Sequence, residues 1–144
     1  MIHGAILIAF LACGIPASYA GNYEILIADR SMNYANAKAF CDCKGMRLAA
    51  ASLRDADTSQ DILAYTASSG YNYWVGADNL QNGGYDFLWS DGVALPASSN
   101  LWAPKEPSNP QSSQLCVQLW NKYNMLDDTS CGDAKRVICE KEVK

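Results

Sequence analysis

The stretch WAPKEPSNPQSSQ, residues 102–114, decides how the rest of the chain must be arranged. Pro104, Pro107 and Pro110 rule out a helix interior and a central strand, because each lacks an amide donor and fixes its own backbone. The Ser, Asn and Gln residues carry no hydrophobic period. Yet Glu106 stands between two of the prolines as though its position mattered. A structureless run of about twenty residues, Leu95 to Gln114, is uncommon in a compact domain unless it has a function. Trp102, the prolines and the nearby Cys116 favour a rigid loop that presents something.

The segments around that loop read as short strands. Downstream lie LCVQLW (115–120) and RVICE (136–140); upstream lie YNYWVGADN (71–79) and YDFLWSDG (85–92), aromatic and punctuated by glycine. Further upstream the texture is helical. Asn33 caps a helix running to about Cys43, with Tyr34, Ala37 and Cys41 on one face and Gly45 as the stop. Leu48 to Ala51 reads as a short strand. Asp55 caps a second helix through Ile62, Leu63 and Tyr65 that ends at Ser68-Ser69-Gly70. Tyr23 to Ala28 (YEILIA) is a strand. Two helices early and short strands late define an α+β domain with antiparallel pairing.

Residues 1–20 read as a secretory signal peptide, with an apolar stretch from Gly4 to Ile15 and a small-residue exit at Ala20. That stretch is too short to span a bilayer, so membrane insertion is not expected. Residues 21–144 then form one domain. The net charge of -4 argues against nucleic acid. The single histidine, His3, falls in the leader, which excludes His-activated nucleophiles and imidazole zinc sites. Without a nucleophile–base pair, no enzyme is expected. Cys41, Cys43, Cys116, Cys131 and Cys139 read as two disulfides and one leftover in a secreted chain.

Several stretches in order resemble the C-type lectin-like domain family: YWVG at 73–76, FLWSDG at 87–92, Trp102 to Glu106-Pro107, Cys116-Val117, the acidic pair before Cys131, and VICE at 137–140. A finer resemblance, on EPSNPQS and Met125-Leu126-Asp127-Asp128, is to the small galactose-binding lectins of colonial tunicates. The resemblance implies disulfides Cys41–Cys139 and Cys116–Cys131, a core role for Trp74, Trp89 and Trp102, and a cis peptide before Pro107. Cys43 departs from the pattern. Two residues after Cys41 on a helix, it faces elsewhere, which leaves a free thiol or an intermolecular bridge.

On that resemblance, Glu106, Ser108, Asp127 and Asp128 are brought together as oxygen donors. Gathered carboxylates repel one another, and a hard cation such as calcium, which takes six to eight oxygens, resolves the repulsion. The expectation is one Ca2+, with vacant positions for two sugar hydroxyls. Glu-Pro-Ser, Gln114 and the leucine at 126 depart from the usual family motifs, and Gln114 with Leu115 removes acids from an auxiliary ion position. Trp120 is the candidate apolar platform for the ring of galactose. The expected partners are therefore galactose-type glycans, with homodimerisation through the YEILIA strand. A mannose-type lectin and a protein-binding domain without sugar activity are the alternatives.

Overall fold

A computed structural model describes residues 7–9, 18–20, 22–108 and 115–143. In chain order the elements are β1 (Leu7–Ala9), β2 (Ser18–Ala20), β3 (Tyr23–Met32), α1 (Tyr34–Cys43), β4 (Arg47–Leu48), α2 (Ala51–Arg54), α3 (Ala56–Ser69), β5 (Tyr73–Asp78), β6 (Phe87–Trp89), β7 (Ala94–Leu95), β8 (Leu115–Trp120), β9 (Met125–Ser130) and β10 (Lys135–Glu142). The α+β class, the two main helices and the late strands match the sequence reading.

The apolar run of β3 is buried on both faces, as a central strand should be. Ile25 and Ile27 enter one cluster with Ile62, Val75, Val117 and Ile138. Leu26 and Ala28 enter the other with Tyr34, Ala37, Cys41, Trp74 and Val137. Side-chain alternation along the strand divides them in this way. Each fully buried aliphatic chain contributes roughly 1.5–3 kcal/mol through its removal from water. Helix α1 begins where Asn33 accepts from the Asn36 amide at 2.9 Å. Helix α3 begins where Asp55 accepts from Thr58 at 3.0 Å, and it ends at Gly70, whose φ of 80° is left-handed.

β3 pairs antiparallel with β10, and β10 pairs parallel with β5. β5 continues antiparallel into β8, and β8 into β9. Pairing is thus not wholly antiparallel: besides β10–β5, β1 lies parallel to β3. β2 lies antiparallel to the same strand. The short strand expected over Leu48–Ala51 stops at Leu48, and the chain turns into α2. Glu140 of β10, 0% exposed, causes the turn. Its carboxylate accepts from the amides of Ala50, Ala51 and Ser52 at 2.7, 3.1 and 2.8 Å. It also accepts from the Ser52 hydroxyl and from Arg47 Nε.

Cys41–Cys139 and Cys116–Cys131 are both formed, spanning 98 and 15 residues. On the chain-entropy account, closures of about these lengths contribute roughly 4.7 and 3 kcal/mol. In the full chain Cys43 too is disulfide-bonded, and no described cysteine is free. The partner of Cys43 lies outside the described residues. No helix among the described residues is long and apolar enough to cross a membrane.

Candidate functional site

The proline-rich loop is anchored to the core and to a strand edge where it is described. Trp102 is buried, stacks edge-on against Phe87 at 5.2 Å, and donates from its indole to the Pro96 carbonyl at 2.9 Å. The backbone on either side of Trp102 then docks on the outer edge of β9. Leu126 donates to Leu101 O at 3.0 Å, and Ala103 donates to Leu126 O at 2.8 Å. This edge pairing places the following turn beside Asp127 and Asp128. Within the turn Lys105 is left-handed, with φ of 69°, and the Glu106–Pro107 peptide is cis, as the resemblance implied.

One carboxylate oxygen from each of Glu106, Asp127 and Asp128 lies within 4.8 Å of the others. Ser108 joins them: its amide donates to Asp128 Oδ1 at 2.9 Å, and its side chain acts to lower the Glu106 carboxyl. All four residues expected as donors are therefore brought together. Gln114, whose part in the site the sequence left open, lies outside the described residues.

Burial first, and then the neighbouring Asp128 and Asp127, push the Glu106 carboxyl up to about 7, against the lowering effect of Ser108. Asp127 is also raised, chiefly by burial and then by the charge of Asp128, while Gln118, Glu106 and Lys135 act the other way. Glu106 Oε1 is buried without a partner among the described residues. Three acids held this close favour either a shared proton or a cation, and an oxygen-only donor set suits calcium. The residues present fit that ion.

Trp120 stands on the same sheet face. In the β8–β9 ladder Gln118 pairs with Asp127 and Trp120 with Met125, so the tryptophan lies one strand repeat beyond the acid. It is half-buried, and Tyr123 meets it edge-to-face at 5.2 Å. The Lys122 ammonium lies 5.5 Å from its ring centroid. Trp74, Trp89 and Trp102 are all core residues, as the resemblance implied.

Two residues of the site are missing from the sequence reading. Gln118 donates from Nε2 to Asp127 Oδ2 at 2.7 Å. Lys135 of β10 bears electrostatically on Asp127, and its own ammonium is lowered first by burial. Gln118 was legible in principle: it is the one amide in an apolar strand and falls on the face that carries Trp120.

The chain belongs to the C-type lectin family, for residues 30–141 match the lectin C-type domain. A lectin of Polyandrocarpa misakiensis is 60% identical over 122 residues, covering 85% of this chain and 98% of the relative. The solved structure of TC14, a C-type lectin from that tunicate, superposes with a TM-score of 0.83 over 85% of this chain and 99% of that one. Perlucin of Haliotis laevigata is 30% identical, covering 76% of this chain and 70% of the relative. The family and its relatives are lectins rather than enzymes.

Proposed function

We propose that this protein is a secreted, calcium-dependent lectin for galactose-containing glycans, released by removal of residues 1–20. The observation that carries the reading is the convergence of Glu106, Asp127 and Asp128, with Ser108, at strand β9, whose Asp127 lies on the sheet face that carries Trp120. These four residues would hold one ion. When bound, calcium supplies coordination positions that two neighbouring sugar hydroxyls can fill. The carboxylates accept hydrogen bonds from the same hydroxyls, and Ser108 contributes a group that both donates and accepts. Trp120 offers an apolar ring face on which the less polar side of galactose can stack. The 60% identity to a tunicate lectin supports the sugar-binding half of this reading.

A single weak site gains from repetition, so we further propose a homodimer in which two sites engage one surface. The strand β3 is its candidate seam once the leader has gone.

The test is retention of the refolded mature protein on immobilised galactose and immobilised mannose in calcium, followed by EDTA. Retention on galactose with release by EDTA is the expected result. Retention on mannose alone overturns the stacking argument while keeping the ion. Retention on neither matrix, with no calcium uptake by titration, overturns the whole reading in favour of a protein-binding domain.

A further inference from the structure

Gln118 is the one polar side chain that faces inward from the apolar run of β8, and the sugar-binding reading assigns it nothing. It is 5% exposed. Its Nε2 donates to Asp127 Oδ2 at 2.7 Å, while its Oε1 is buried and has no partner among the described residues. Turning the amide over gives no relief, because two acceptor oxygens would then face each other at Asp127. Among the described residues the amide thus bonds Asp127 through its nitrogen, a polar contact that an apolar side chain of the same length would not make. A buried amide that bonds a candidate ion ligand points to a purpose other than packing.

The register supplies the purpose. Gln118 and Asp127 are directly opposite in the β8–β9 ladder, so their side chains leave the sheet together. Holding one oxygen of Asp127 from the strand side fixes the plane of the carboxylate, and with it the direction of the second oxygen. Glu106 and Ser108 approach from the loop, where the Ser108 amide donates to Asp128 Oδ1 at 2.9 Å. Gln118 thus fixes the sheet-borne half of the site within the disulfide-braced hairpin of Cys116 and Cys131.

We propose that Gln118 is the positioning residue of the ion site: it sets the orientation of Asp127 and thereby the cation affinity and the spacing of the acceptors offered to a sugar. This rests on the calcium reading above. Partners that orient metal ligands from outside the coordination sphere typically change affinity by about 10–100-fold when removed.

The experiment compares the mature protein with Gln118→Met, which keeps the length and loses the donor, and with Gln118→Asn, which keeps the amide and loses the reach. Calcium affinity is read by isothermal titration calorimetry. Terbium bound in place of calcium reports coordinated water through its luminescence lifetime in H2O and D2O. Melting in EDTA checks that each fold is intact. The expected result is a fall in calcium affinity of about 10–100-fold in both variants, with a gain of about one terbium-bound water as Asp127 lets go. If the unsubstituted protein takes up no calcium, the reading beneath fails first. If it does, and the folded variants match its affinity, the positioning role alone is wrong. A loss of affinity at an unchanged water count also overturns it, since that outcome belongs to packing.

Discussion

Lowering the pH from 8 to 6 is the perturbation that probes the acidic trio most directly. Glu106 ordinarily titrates near 4.5 and is pushed here to about 7 by burial and by its two acidic neighbours. A cation takes the deprotonated carboxylate, so a proton on the trio competes with it. With the titration near 7, the deprotonated fraction is about 0.9 at pH 8 and about 0.1 at pH 6. The apparent calcium affinity should therefore fall about tenfold across that interval, and about tenfold again by pH 5. Binding at pH 6 should release about one proton, and at pH 8 about a tenth of one. Calorimetry in two buffers of different ionisation enthalpy measures both quantities. An affinity that stays flat between pH 8 and 6, with no proton released, would refute the reasoning. The same shift has a sign for stability. A carboxyl raised in the fold is at ease when protonated, so the calcium-free protein should lose stability as pH rises from about 4.5 through 7. Urea midpoints in EDTA should accordingly be higher at pH 5.5 than at pH 7.5, and saturating calcium should remove that difference.

Three further outcomes are expected. Trp120→Ala should leave calcium uptake unchanged and weaken galactose binding by about tenfold, the scale of an aromatic contact of about 1.5 kcal/mol; equal loss of both would show that Trp120 supports the ion site instead. Glu140→Ala strands three backbone amides and Arg47 around a buried void, and should cost about 3 kcal/mol or more in urea unfolding; a cost below about 1 kcal/mol would mean that water replaces the carboxylate. Gly76→Ala would set a Cβ 2.6 Å from the Leu48 carbonyl oxygen and 2.5 Å from Ser90 Oγ, so β4 must move away from β5; a destabilisation of about 1–3 kcal/mol is expected, and a neutral result would show that the sheet gives way freely there.

Local signals were read well from the sequence because their causes are local. Asn33 and Asp55 lie three residues from the amides they cap, so the starts of α1 and α3 could be placed from the side chains alone. The spacing of Tyr34, Ala37 and Cys41 likewise identifies one helical face. The site was legible only through the family motifs, since Glu106 and Asp127 are brought together by a loop docking on a strand edge. Gln118 escaped because its meaning depends on hairpin register: one residue of slip would place it opposite Asp128. The turn at α2 escaped for a similar reason. Its cause, Glu140, is 90 residues away from Ala50 in sequence.

The contacts of Glu140 also separate what a position's backbone must supply from what its side chain must be. Ala50 and Ala51 meet the carboxylate only through their amides, which every residue but proline supplies. Their identities are invisible to that contact, whereas the acceptor is specified by a single codon's meaning. A library randomised at 50, 51 and 140 should therefore return folded clones with small residues alone at 50, whose side chain is buried in the core, wide variety without proline at 51, and glutamate alone at 140.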